Sequence, residues 1–260
     1  MERLSDVIPP QMRGIALSYD DFLIKRVETY NNLTGNLKYY DCDKCKNKGV
    51  IAKISDNTEV MNRCVCMKIR ESFSRIEKSG LTMHMRQCTF DNYIVSDTWQ
   101  KQIKQAAERF IIDKNKWFVI CGQSGSGKTH ICTAIMVSLI MSGKSGKYMI
   151  WREDATKLNA NINEQSYQND LDYLKTVEVL YIDDLFKTKF GAEITQGEIK
   201  LAFDLINHRS ISGLTTIIST ELTVNELIKI DEATTSRIIM MAKDYKFSIK
   251  KDQSKNYRLK

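Results

Sequence analysis

Prolines are nearly absent: Pro9 and Pro10 are the only two in 260 residues. Proline-rich linkers and polyproline segments are therefore excluded beyond the first few positions. Histidine is also scarce, with three in the chain. His84 has no partner at ligand spacing and reads as a structural or solvent-facing residue. Long apolar runs are missing. The most apolar stretch, Ile131 to Met141, contains Thr133 and Ser138 and is too short to span a bilayer. The opening residues, MERLSDVIPPQMRG, lack the apolar centre of a signal peptide. A cytoplasmic location is expected. No strong excess of one charge exists. The net charge of +7 and pI near 8.9 suit a nucleic-acid partner, but also an ordinary lysine-rich surface. A hydrophobic content of 42% allows a sizeable core, and the length allows one large domain plus a small one.

Cysteine is present in an odd number, seven. Four form two close pairs, Cys42-Asp-Lys-Cys45 and Cys64-Val-Cys66. Between them runs a polar strand-and-turn segment, Lys46 to Arg63, with turn signals at Asn47-Lys48-Gly49 and Asp56-Asn57. In a reducing compartment such pairs point to metal rather than disulfides. Four thiolates around a tetrahedral Zn²⁺ would make a zinc ribbon, too poor in apolar residues to fold well without the ion. A redox pair or unliganded thiols are the alternatives. Cys88, Cys121 and Cys132 lie in or beside apolar elements and read as core.

The stretch with the most chemistry is Gly122-Gln123-Ser124-Gly125-Ser126-Gly127-Lys128-Thr129, which fits the phosphate-loop pattern G-x-x-x-x-G-K-[ST]. Trp117 to Cys121 before it reads as a buried strand. Thr129 to Met141 after it carries Ile131, Ile135 and Leu139 at helical spacing. The glycines let backbone N–H groups approach a polyphosphate, and the helix start adds its dipole. Lys128 would reach the β- and γ-phosphates of ATP or ADP, and Thr129 would ligate Mg²⁺. His130, next in sequence, joins the candidate nucleotide contacts.

Elsewhere the spacing predicts a helix from about Tyr19 to Tyr30, its apolar stripe a packing face or a docking face. A second helix runs from Met67 to about Gly80, and a third carries Ile103, Ala106, Ala107 and Phe110. Tyr148 to Trp151 reads as a strand, Asp154 to about Ile162 as a helix, and 163–170 as loop. Val177 to Ile182 reads as a central strand ending at Asp183-Asp184. Carboxylates there sit where open α/β sheets bind ligands. Asp183 fits the magnesium position and Asp184 a water-positioning carboxylate. Glu198 to Arg209 is a helix and Thr215 to Ser219 a strand. Helices around Asn225–Lys229 and Glu232–Met241 and a final strand, Tyr245 to Ile249, precede a basic tail. The expected fold is α/β: a phosphate-loop core with a five-stranded parallel sheet over 86–260, after a small helical and zinc-ribbon domain over 1–85.

These motifs together resemble the AAA+ ATPases of the bacterial helicase-loader group, the DnaC/DnaI-like proteins, including phage-encoded versions. The resemblance rests on the cysteine-rich N-terminal part, Lys78 to Leu81, Gly122 to Thr129, Val179 to Asp184, Ile218 to Leu222 and Ser236-Arg237-Ile238. It implies ATP hydrolysis at subunit interfaces of a homo-oligomer. The implied partners are single-stranded DNA and the replicative hexameric helicase, the latter met through the N-terminal domain. It implies that Lys128 and Thr129 bind phosphate and magnesium, that Asp183 holds the metal and that Asp184 activates water. Arg237 matches an arginine finger offered to a neighbouring subunit, and Arg258 a cis sensor arginine. Where the family often has a sensor Asn at the end of the fourth strand, Ser219, Thr220 or Glu221 must serve, with Glu221 standing in that place, and Asp184 stands where AAA+ proteins usually have Glu. Weak or partner-stimulated hydrolysis is the expectation. An IstB-like transposition helper, which shares the core, and a nucleotide-locked adaptor with little hydrolysis are the competing readings.

Overall fold

The computed structural model describes residues 18–77, 87–113, 116–161, 164–188 and 192–259. The Pro9-Pro10 loop, the helix end at Lys78 to Leu81, and His84 lie outside these residues. The chain divides into two compact units, Met1–Arg70 and Glu71–Lys260. The boundary expected near 80–90 falls largely outside the described residues.

In the first unit, helix α1 (Tyr19–Asn32) starts at Ser18, whose hydroxyl accepts from Asp21 N–H at 3.1 Å. Leu23 is its buried residue. Strands β1 (Val50–Ser55) and β2 (Thr58–Arg63) pair antiparallel around Asp56-Asn57. Both turn residues have positive φ, 49° and 54°, as a two-residue hairpin turn matching strand twist requires. The Asn31 side chain joins α1 to β1, donating to Ala52 O at 2.9 Å and accepting from Ala52 N at 3.0 Å. Helix α2 (Cys66–Glu77) follows the last cysteine pair and runs across the division.

The second unit begins with α3 (Thr98–Ile112). Five parallel strands then form one sheet in the order β4-β5-β6-β3-β7. They are β3 (Trp117–Gly122), β4 (Gly146–Ile150), β5 (Val179–Asp183), β6 (Thr215–Thr220) and β7 (Lys246–Ile249). Helices α4 (Lys128–Met141), α5 (Trp151–Ala160), α6 (Gln165–Thr176), α7 (Gln196–Ile211), α8 (Val224–Ile230) and α9 (Glu232–Ala242) flank it. The inner strands β3, β5 and β6 are buried at every residue, as coverage on both faces demands. Trp117, Trp151, Leu180, Ile182, Leu205 and Ile218 are among the residues of the main core.

Two expectations are corrected. Trp151 opens α5 instead of closing the strand, because Asp154 accepts from Ile150 N–H at 2.9 Å and turns the chain into a helix there. Residues 165–170 belong to α6 and not to a loop. The apolar anchors of that helix, Leu171 and Leu174, sit in its second half, so its polar first half carries no visible stripe.

Candidate functional site

The C-terminal ends of β3, β5 and β6 bring Gly122, Asp183 and Thr220 to one edge of the sheet. Between β3 and α4 the loop Gly122 to Thr129 turns through three glycines, Gly122, Gly125 and Gly127, with φ of 137°, 76° and 86°. At Gly122 a Cβ would lie 2.4 Å from Ile249 O, so only glycine fits beside β7. The Lys128 ammonium donates to Gly122 O and Gln123 O, both at 2.8 Å, and so lies curled over the loop. Burial lowers its pKa, against the opposing pull of Asp184 and Glu221.

Asp183 is buried and collects hydroxyl donors from three strands and a helix. Its Oδ1 accepts from Thr129 at 3.3 Å, from Tyr181 at 2.6 Å and from the Ser219 hydroxyl. Its Oδ2 accepts from Tyr148 at 2.5 Å. Burial and the Asp183 charge raise the pKa of both tyrosines, so they remain donors at neutral pH. Asp184 has φ 56°, and its N–H donates to Ser219 Oγ at 3.0 Å. The Lys187 ammonium bridges Asp184 Oδ2 at 2.7 Å and Glu221 Oε1 at 2.9 Å. Burial raises the Asp184 pKa, partly offset by Lys187. Burial would raise Glu221 too, but Lys187 brings it below the ordinary value.

The basic tail returns to the loop. Gln123 donates to Asp252 O at 2.7 Å and accepts from Asp252 N–H at 2.6 Å, and Tyr257 N–H donates to Gly125 O at 2.9 Å. Arg258 Nη1 donates to Ser124 Oγ at 3.3 Å. A cavity of about 310 Å³ opens here, lined by Ser124 to His130 and by Asp184, Lys187, Glu221 and Arg258. His130 shares a hydrogen bond of 2.8 Å with Thr89 O and meets the Tyr93 ring edge-on. Arg237 does not line that cavity. It lies on α9, donates to Ala233 O at 2.8 Å and stacks over the Phe203 ring at 5.2 Å. Lys187, Tyr148 and Tyr181 are the site residues that motif reasoning misses, since none belongs to a spaced pattern; Ser219, one of the three sensor candidates at the strand end, bonds Asp183 and Asp184.

The four cysteines Cys42, Cys45, Cys64 and Cys66 form a buried cluster with all sulfurs within 4.8 Å of one another. Cys42 and Cys64 Sγ are 3.7 Å apart, and Cys45 and Cys66 Sγ 3.5 Å. A tetrahedral Zn²⁺ with bonds of about 2.3 Å needs sulfurs about 3.8 Å apart, so the donor set fits it. The first knuckle turns through Lys46, Asn47 and Gly49, all at positive φ, and Gly49 N–H donates to Cys45 Sγ at 3.3 Å. Arg70 braces it, donating to Lys38 O, to Tyr40 O at 2.6 Å and to Asn47 Oδ1 at 2.7 Å.

A family model for IstB-like ATP binding proteins matches residues 59–250. The uncharacterized protein YqaM of Bacillus subtilis (strain 168) is 30% identical over 271 aligned residues, covering 99% of this chain and 78% of that protein. The replicative helicase loader DnaC of Escherichia coli (strain K12) is 27% identical over 174 residues, covering 63% of this chain and 66% of the loader. Among solved structures, DnaI superposes with a TM-score of 0.54 at 20% identity, covering 65% of this chain and 93% of that one. The DnaC helicase loader gives 0.54 at 17% identity, covering 65% and 99%. These two likenesses establish the fold. The family match spans well over half of the chain, and the chain therefore belongs to the IstB-like ATP-binding proteins, with a core that shares the fold of DnaI and DnaC.

Proposed function

We propose that this protein is an ATP-dependent helicase loader that hydrolyses ATP at subunit interfaces while holding single-stranded DNA and a replicative hexameric helicase. The observation that carries the reading is the convergence of Lys128, Thr129, Asp183 and Asp184 at one sheet edge, in a chain with a cysteine cluster before its ATPase core. Similarity to proteins named as replicative helicase loaders favours it over a transposition helper.

Each residue has a physical task. Lys128 would exchange its carbonyl partners for the β- and γ-phosphates of ATP. Thr129 and Asp183 would hold Mg²⁺, which would offset phosphate charge in the transition state. Tyr148, Tyr181 and Ser219 fix the Asp183 carboxylate in one orientation. Asp184 would accept the proton of the attacking water. Arg258, beside Ser124, would meet phosphate from the same chain. Arg237, away from this cavity, would serve a neighbouring copy, which couples nucleotide binding to assembly. In the first unit, Cys42, Cys45, Cys64 and Cys66 would hold Zn²⁺ and shape the surface offered to the helicase.

ATP turnover with and without single-stranded DNA tests the site. Lys128→Ala should abolish nucleotide binding. Arg237→Ala should keep binding and lower turnover by on the order of 10³, the effect of a lost arginine finger. Wild-type turnover in both variants refutes the assignment. Pull-down against a replicative helicase and a transposase separates loader from transposition helper. A nucleotide-locked adaptor with little hydrolysis is the second reading, favoured by the ion pair that Lys187 makes with Asp184.

A further inference from the structure

Polar groups in and beside the cavity have fixed partners. Lys128, in its lining, lies on two carbonyls, and Asp183, behind it, is surrounded by hydroxyls. The exception is the bridge Asp184–Lys187–Glu221, which is built wholly from charged side chains. It joins the segment after β5 to the end of β6, and all three side chains line the cavity together with Ser124, Lys128 and Thr129.

The backbone is shaped to place it. Asp184 and Phe186 have φ of 56° and 59°, rare for non-glycine residues. Leu185 N–H donates to Ser219 O and Lys187 N–H to Asp184 O, both at 2.9 Å. Phe186 is buried against Trp151, with ring centroids 5.3 Å apart. The segment therefore curls, and Lys187 returns over the end of β5. Strain of this kind persists where the surroundings over-determine it. The Lys187 side chain is 35% exposed, so a ligand in the cavity can reach it.

A lysine is a point charge on a flexible stem. Two carboxylates hold it here, and the γ-phosphate of ATP is a stronger competitor than either one because it presents more charge and three acceptor oxygens. ADP lacks that competitor. While Lys187 donates to Asp184 Oδ2 at 2.7 Å, that oxygen is occupied and cannot meet a water. We propose that Lys187 reads the terminal phosphate: it passes from the Asp184–Glu221 pair to the γ-phosphate of bound ATP, and so releases Asp184 for the attacking water. This rests on the ATP-site reading above. No covalent bond changes in the step, and one set of ion pairs replaces another.

The test measures binding of fluorescent N-methylanthraniloyl ATP and ADP to the full chain, with the ratio of the two affinities as readout. Lys187→Met should lower the ATP-over-ADP ratio about tenfold, or about 1.4 kcal/mol, and Lys187→Arg should largely restore it. Glu221→Gln loosens the hold on Lys187 and should raise the ratio. That rise should shrink in the Lys187→Met background. If Lys187→Met weakens ATP and ADP by the same factor, the lysine only neutralises its neighbours and the proposal is overturned. An equal effect of Glu221→Gln with and without Lys187 overturns it as well. If the unmodified chain binds neither nucleotide, the ATP-site reading itself falls, and that is seen before any variant is compared.

Discussion

Replacing Arg209 with Met should destabilise the parallel-sheet unit severely without touching the candidate nucleotide site. Arg209 lies on α7 and is fully buried. Its guanidinium donates to Thr216 Oγ1 at 2.9 Å, Leu174 O at 2.9 Å, Val177 O at 2.9 Å and Thr215 O at 2.7 Å, with a longer bond to Lys175 O at 3.3 Å. Leu174 and Lys175 are in the last turn of α6, whose carbonyls have no further helical residue to bond. Burial lowers the Arg209 pKa to about 9, still above neutrality, so the charge stays and complements the negative end of the α6 dipole. Met fills the stem and leaves those acceptors buried without a donor. Each costs about 1–3 kcal/mol, but loss of the guanidinium desolvation penalty and local relaxation return part of it. The net cost expected is about 3–5 kcal/mol, a large share of the roughly 5–15 kcal/mol that domains possess. Urea unfolding of wild type, Arg209→Met and Arg209→Lys checks this. The Lys variant, with three donors and no fork, should fall between the other two. A loss below about 1 kcal/mol for Met would show that the buried acceptors find other partners, and the reasoning would be wrong.

Two further outcomes follow from the geometry. The purified chain should carry about one zinc ion, measured by elemental mass spectrometry. Cys64→Ser or a strong chelator should remove it and raise amide exchange in β1 and β2 while sparing the parallel sheet, and a metal-free chain with a protected hairpin would defeat the assignment. Gly125→Ala should weaken nucleotide binding and expose the C-terminal tail to protease. Its Cβ would sit 1.9 Å from Asn256 Oδ1 at a φ of 76°, and the left-handed conformation alone costs about 1–2 kcal/mol. Unchanged proteolysis of the tail would show that the loop and tail do not constrain each other.

What was legible in the sequence was local. The phosphate loop shows because its glycines, Lys128 and Thr129 do their work within eight consecutive positions. Asp183 shows because an all-apolar central strand stops there, and the cysteine pairs show because each knuckle is short. Tyr148, Tyr181 and Ser219 converge on Asp183 from three strands, and a parallel sheet brings such residues together only after long crossovers. The two tyrosines sit within apolar runs and read as core; Ser219 is legible as a residue at a ligand-facing strand end, but nothing in the spacing marks any of the three as a donor to Asp183. Lys187 is illegible for another reason: its position depends on two left-handed residues, Asp184 and Phe186, that are not glycine. Arg237 matches a motif, but the task proposed for it would require a second chain, which neither one sequence nor one fold supplies.

The described contacts also bear on how the site would work. Lys128 is bonded to carbonyls, Thr129 to Asp183, Lys187 to Asp184 and Glu221, and Arg258 to Ser124. Every side chain proposed to meet phosphate or metal therefore has an internal partner to give up. Binding of ATP exchanges hydrogen bonds and ion pairs instead of creating all of them anew, so the net gain per contact is smaller than the contact itself. Such a site favours the ligand that replaces the most partners at once. A triphosphate with its metal can replace all of them, whereas a diphosphate leaves Lys187 where it is. Discrimination between the two then arises from the internal ion pairs as much as from the phosphate loop, and it is lost if those pairs are removed.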